Sequence, residues 1–431
     1  MLSLPVSDWL GRHRIHYAWV VVAICFLTAL SSSAALGLPG ALLQPLSREF
    51  GWSVDDISTA LAVRFALFGL MGPFAAILME RLGLRAVIVT ALSLIAAGLL
   101  LTTRMTQFWQ LVLLMGVMLG VGSGMTALVL NAVVSNRWFD THRGLVVGLL
   151  TASSATGQLI FLPAGTWLIE HFGWRVALAP VLISCAVMAI AAFFLMRDRP
   201  RDLGLRPFGA DPAAAPPPAP PRLGWDAPLA VLAAASRTRT FWLLAGTFFI
   251  CGLSTNGLIQ SHFISLCGDA GMGPVPAASV LAMMGAFDLV GTIASGWLSD
   301  RYDNRKLLFW YYGLRGLSLF WLPYSEFTLY GLSLFALFYG LDWIATVAPT
   351  VKLVAQQFGR EKAGLVFGWI FAAHQLGAAT AAFGAGRIRT LMMTYNPALF
   401  AAGAACLLAA GMAMAIRRQQ AAAPLPAPIE A

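Results

Sequence analysis

The segment 144–157, GLVVGLLTASSATG, returns 220 residues later at 364–377 as GLVFGWIFAAHQLG, without a gap. At the same offset, AILMERLGLR (76–85) matches GWLSDRYDNR (296–305), with an acid, an arginine and a later basic residue in register. Two matches at one spacing predict a chain built as two copies of one unit. Any fold it adopts must divide into halves of like topology.

Composition says what medium those halves occupy. The chain has 431 residues, is 59% hydrophobic and only 11% charged, whereas soluble domains carry about 25% charged residues. Such a chain dissolves in lipid. A bilayer core of about 30 Å requires about 20 apolar residues per crossing, and backbone polar groups there must be satisfied within the segment, so helices are expected. Apolar runs stand near 17–43, 57–79, 86–101, 108–134, 144–169 and 176–196, then 241–266, 275–298, 307–322, 327–351, 363–387 and 397–415. The expected fold class is an all-α membrane protein, with twelve transmembrane helices in two pseudo-symmetric six-helix bundles.

The division follows: a first bundle over 1–196, a Pro/Ala-rich linker over 197–240, a second bundle over 241–416 and a tail over 417–431. The linker carries RDRPRD and a Pro/Ala run at 211–221, with little from which to build a core. Of the 28 Lys and Arg, Arg64 and Arg315 fall inside spans and five (Arg48, Arg104, Arg175, Arg387, Arg389) on one side. The other 21 share the side of the termini and linker, which the positive-inside rule makes cytoplasmic.

The net charge of +9 is thus topological, and no basic run with interleaved exposed aromatics points to nucleic acid. The first span is too long for a signal-peptide core and reads as a retained helix. Cys25, Cys185, Cys251, Cys267 and Cys406 form no C-x-x-C pair, so neither a disulfide framework nor a metal cluster is expected. No cofactor is expected either. Glycines 116, 120, 122 and 124, and Gly144 with Gly148, read as close helix contacts, and Pro39, Pro163 and Pro349 as bends.

The motifs Glu80-Arg81-Leu82-Gly83-Leu84-Arg85 and Asp300-Arg301-Tyr302-Asp303-Asn304-Arg305 resemble the loop signature of the major facilitator superfamily, which follows its second and eighth helices. The first copy has Ala76 for the leading glycine, and the second has Asp303 for the second glycine. Arg137-Trp138-Phe139, Arg143-Gly144, Pro163, Phe172-Gly173-Trp174-Arg175 and 199–205 (RPRDLGL) look like the monocarboxylate and oxalate/formate porter branch. In that branch an acid on helix eight is often followed one turn later by arginine; here Asp288 fits, but the next-turn residue is Thr292. The resemblance implies alternating access: secondary active transport of a small organic anion, proton-coupled or by exchange, by a monomer in a bacterial inner membrane. Glu80, Arg81, Arg85, Asp300, Arg301 and Arg305 are then expected to form latches across the bundle interface, or to serve only as interfacial stop signals.

Ionisable groups inside spans cost at least about 2.5 to 3.5 kcal/mol at mid-bilayer and are kept where partners or water exist. There are four. Asp288 is a candidate proton carrier, or else an ion-pair partner of Arg315 or Arg64. Asp342 reads as coupling or pairing. Arg64 is a candidate anion receptor, or an arginine snorkelling outward. Arg315, on a helix usually peripheral in the family, reads as a pairing residue. His374 and Gln375 stand where the first copy has Ser154 and Ala155, polar groups in place of small ones. Asn131, Asn256 and Gln260 could bond a carboxylate or another helix.

Function classes other than transport of an anion are a proton-driven exporter of hydrophobic or cationic compounds, a solute-sensing receptor and a membrane-embedded enzyme. No H-E-x-x-H, G-x-S-x-G or Walker lysine motif favours an enzyme or an ATP-driven pump.

Overall fold

The computed structural model describes residues 3–13, 15–126, 128–211 and 224–417. The linker's Pro/Ala run and nearly all of the tail lie outside them. The long helices are α1 (Ala18–Phe50), α2 (Val54–Arg81), α3 (Leu84–Thr102), α4 (Phe108–Trp138), α5 (Arg143–Phe172) and α6 (Trp174–Leu195), then α7 (Arg239–Asp269), α8 (Pro274–Arg301), α9 (Asn304–Trp321), α10 (Ser333–Phe358), α11 (Arg360–Met392) and α12 (Asn396–Met414). Ten of them are long and apolar enough to cross a membrane. The other two, α5 and α9, stand where the fifth and ninth spans are expected; α9 holds Arg305, Lys306 and Arg315 within 18 residues. Among the described residues the only extended pairing is an isolated parallel bridge between Phe139 and Phe208.

Two apolar cores result. One is built by α1 to α6, joined by Ala378 and Ala382 of α11; the other by α7 to α12, joined by Ala41 and Leu162 from the first half. The 220-residue offset holds at the level of contacts. A Cβ on Gly120 of α4 would lie 2.7 Å from the Arg64 carbonyl of α2, and one on Gly340 of α10 would lie 2.6 Å from the Met284 carbonyl of α8. Glycine lets the paired backbones touch at equivalent places in both halves. Gly116, Gly122 and Gly124 make similarly close contacts, as expected. Gly144 and Gly148 do not: nothing lies within 4 Å of a Cβ at either, so their reading as packing surfaces is corrected.

Several helices are not uniform. Helices α4 and α7 contain π-helical stretches, Val112–Met118 and Leu253–Gln260. Pro39 sits in a 3-10 turn, Leu38–Leu42, whereas α5 runs straight through Pro163. Helix α10 stops at Asp342 and resumes at Val347. Pro349 contributes to this, because its ring removes one N–H and displaces the carbonyl four residues back, that of Ala345. The equivalent place in α4 is also broken, with Thr126 ending one segment where the offset puts Thr346.

The linker is more ordered at its ends than its composition suggests. A short helix, Ala227–Ala235, packs on α11, with the Trp369 indole donating to the Pro228 carbonyl at 2.8 Å. Phe208 sits among the rings of His16, Trp19, Phe139 and His142.

Candidate functional site

Helix α2 carries Arg64 into the interior. The residue is 1% exposed, its guanidinium lies 4.6 Å from the Phe65 ring, and Nε and Nη1 are buried without a hydrogen-bond partner. Among the described residues no carboxylate lies within ion-pair distance of it. An arginine snorkelling to the headgroups would reach water, so that reading does not hold. Leaving a guanidinium buried and uncompensated costs several kcal/mol, and the fold does not require the cation, since the second half has Met284 at the equivalent place. One turn on, Phe68 meets Phe371 of α11 edge to face at 5.6 Å.

The other three intramembrane charges are partnered. Arg315 Nε donates to Asp342 Oδ2 at 2.6 Å, Nη1 to Cys251 Sγ at 2.9 Å, and Nη2 to the Asp342 and Trp343 carbonyls at 2.6 and 3.3 Å. A cation there both pairs the acid and satisfies carbonyls at the C-terminal end of a half-helix, where the dipole is negative. The equivalent place in the first half is an Ile95–Gly122 contact. Asp288 pairs with neither arginine: its Oδ1 accepts from the Ile344 amide at 2.9 Å and from the Thr292 hydroxyl at 3.1 Å. Ser295 donates to the Ala345 carbonyl at 2.5 Å, the group that Pro349 displaces.

His374 and Gln375 are buried at the seam of α11 with α7 and α2. The His374 ring stacks on Phe371 at 5.9 Å and lies 5.1 Å from Phe248, and its Nδ1 has no partner. The Gln375 Cβ lies 2.5 Å from a Cβ built on Gly69, and its Oε1 has no partner. The side chains of Ser154 and Ala155 fall outside those described. Asn131 and Gln260 are buried and Asn256 is half-buried, and none of the three makes a side-chain hydrogen bond among the described residues. Asn256 and Gln260 both lie in the π stretch of α7, whose loosened carbonyls are taken by Ser261 Oγ (onto Asn256, 2.8 Å) and Tyr339 (onto Ser254, 2.8 Å).

Counted at about 1.5 Å per residue from the linker-side helix ends, Arg64, Asn256, Asp288, Asp342, His374 and Gln375 lie about 20 to 26 Å deep. They form one layer. Asn131 lies nearer the linker side and Gln260 nearer the far side. The nearby His262, which sequence reasoning passed over, is a satisfied packing residue: Nε2 donates to the Ala382 carbonyl at 2.8 Å.

The loop motifs make ion pairs, but not across the interface. Glu80 accepts from Arg137 of α4 at 2.6 Å and from Arg199 of the linker at 2.6 Å; Asp300 pairs with Lys352 of α10. Arg305 pairs with Asp303 at 2.8 Å and donates to the Ile416 carbonyl at 3.0 Å. Arg81 and Arg301 lie over the rings of Trp225 and Trp297, and the Arg85 amide donates to Asp198 at 2.9 Å. In this structure the pairs of Glu80 and Asp300 stay within one half or reach the linker. Among the described residues the ion pair that joins the halves is at the far side, Asp55 of α2 with Arg387 of α11 at 2.9 Å. Among the described residues no group of three His, Cys, Asp or Glu could hold a metal ion, and all five cysteines are free.

Comparison with known proteins agrees with this architecture. The family model of the Major Facilitator Superfamily matches residues 24–382. Monocarboxylate transporter 13 of Bos taurus is 25% identical over 399 residues, covering 92% of this chain and 88% of that protein. An uncharacterized MFS-type transporter, YcxA, of Bacillus subtilis (strain 168) is 23% identical, covering 85% and 87%. Monocarboxylate transporter 3 of Rattus norvegicus is 25% identical, covering 93% and 79%. With its duplicated all-helical halves and a family match over most of its length, the chain is a membrane transporter, not an enzyme, and belongs to the major facilitator superfamily.

Proposed function

We propose that this chain is a secondary active transporter of a small organic anion, monocarboxylate-like, working by alternating access between its two halves. The observation that carries the proposal is Arg64, a buried guanidinium with two unpartnered nitrogens in the central layer. A carboxylate is the ligand that a guanidinium recognises with paired hydrogen bonds and that offsets a buried positive charge. The relatives named as monocarboxylate transporters support the same class.

The cycle needs one face closed while the other is parted. The Asp55–Arg387 pair and the contact of Gly386 with Ser58 join α2 to α11 at the far side. On the linker side, Gly144, Gly148 and Gly364 meet nothing within 4 Å of a Cβ. We take the linker side as cytoplasmic from its Lys and Arg excess, in the inner membrane of a bacterial cell, with the halves dividing at the linker 197–240. Movement is driven by protons or by exchange. Of the two carboxylates in the layer, Asp342 Oδ2 is held by Arg315 and Asp288 Oδ1 by Ile344 and Thr292, while Asp342 Oδ1 is buried without a partner.

Uptake of labelled lactate, pyruvate and related acids into proteoliposomes, with and without a pH gradient, tests the reading. Accumulation of at least one carboxylate is expected. Failure of every carboxylate to enter, while an organic cation does, would overturn it.

A further inference from the structure

Helix α10 is interrupted in the middle of the membrane, and the interruption is held by neighbours rather than by α10 itself. The Ile344 amide donates to Asp288 of α8, the Ala345 carbonyl accepts from Ser295 of α8, and the Asp342 and Trp343 carbonyls accept from Arg315 of α9. Asp288, Thr292 and Ser295 are spaced to share one face of α8, and the Thr292 hydroxyl fixes the carboxylate. In hydrocarbon each unsatisfied backbone group would cost several kcal/mol, so these side chains are what permit a break at this depth. Thr126 stands at the place equivalent to Thr346: in the first half it meets Ser32 at 3.1 Å, and in the second Thr346 meets Cys251 at 3.3 Å, one position off the equivalent of Ser32. Only the second half adds a carboxylate, because the residue equivalent to Asp288 is Phe68.

We propose that Asp288 is a positioning residue of the transport cycle. Its carboxylate holds the Ile344 amide, so that the half-helix Val347–Phe358 pivots at the break while Asp342 stays clamped by Arg315. The group acts as a hydrogen-bond acceptor for backbone, and an uncharged acceptor of the same shape does the same work. This follows from transport by the family and does not depend on the substrate being an anion.

Hydrogen exchange of the 341–350 peptide, in the full chain in lipid nanodiscs, reads the break directly. Asp288→Leu is expected to speed exchange there about tenfold while 333–340 keeps its rate, and Asp288→Asn to stay within about twofold of the parent. Ser295→Ala, a milder change, is expected to speed it by about twofold to fivefold. For any carboxylate that the parent takes up, Asp288→Leu should lower the maximal rate about tenfold with KM unchanged, and Asp288→Asn should restore it. Unchanged exchange in both Asp288→Leu and Ser295→Ala would overturn the proposal. So would an Asp288→Asn variant with parental exchange but no uptake, because the charge or its proton would then be what the cycle uses. If the parent moves no carboxylate, the substrate reading fails and the exchange measurements still decide this one.

Discussion

Asp55, at the start of α2, and Arg387, near the end of α11, form an ion pair of 2.9 Å that ties the first half to the second at the far side. The Thr390 hydroxyl also accepts from the Asp55 amide at 3.3 Å. Arg387 is 54% exposed by side chain, so the pair adds little to overall stability. It joins the two halves, however, so any energy it contributes favours the arrangement in which the far side is closed.

Breaking that pair should therefore open the far side more often. In a Ser58→Cys background, Asp55→Asn is expected to raise labelling by an impermeant maleimide about twofold to fivefold, and the swap Asp55→Arg with Arg387→Asp to lower it again. Equal labelling in all three proteins would show that the pair does not act as a gate.

Arg64 should be costly to the fold. Replacing it by Met, the residue at the equivalent place in the second half, removes a buried uncompensated charge and keeps an apolar chain of similar length. Thermal unfolding in nanodiscs should shift upward for Arg64→Met. A downward shift would mean that the guanidinium is satisfied by the protein itself.

Arg315 and Asp342 should behave in the opposite way. Arg315→Met leaves a carboxylate and two carbonyls buried without their donor and is expected to cost about 3 to 5 kcal/mol. Adding Asp342→Leu should recover part of that loss, and a double-mutant cycle on unfolding would measure the coupling. Additive losses would contradict a direct interaction.

The glycines separate into two kinds. Gly120→Ala and Gly340→Ala place a methyl group against backbone 2.7 and 2.6 Å away, and each should destabilise by about 1 to 3 kcal/mol. Gly144→Ala and Gly148→Ala meet open space and should be neutral or stabilising by up to about 1 kcal/mol. Unfolding midpoints of the four variants check this; a loss at Gly148 equal to that at Gly340 would contradict the assigned contacts.

The repeat and the apolar runs were legible in the sequence because both arise from local pattern: the offset that aligns 144–157 with 364–377 also aligns the Gly120 and Gly340 contacts. What was not legible depends on which neighbour a residue meets. Pro349 signals a bend, but only packing shows that Ser295 and Asp288 receive the freed groups. The π stretches leave no mark in composition. Glu80 reads as half of a latch between bundles, and its partners in this structure, Arg137 and Arg199, are separated from it by 57 and 119 residues with no periodicity to connect them. Gly144 and Gly148 have the spacing of a packing motif, yet spacing does not say whether a helix stands opposite.

The most direct test of the account is carboxylate counterflow into proteoliposomes by the parent chain, Arg64→Lys and Arg64→Met. If a guanidinium in the central layer receives the substrate, Arg64→Met should lower counterflow of the transported acid about 10- to 100-fold, with Arg64→Lys between it and the parent. Parental counterflow in Arg64→Met, in protein that remains folded, would contradict the account.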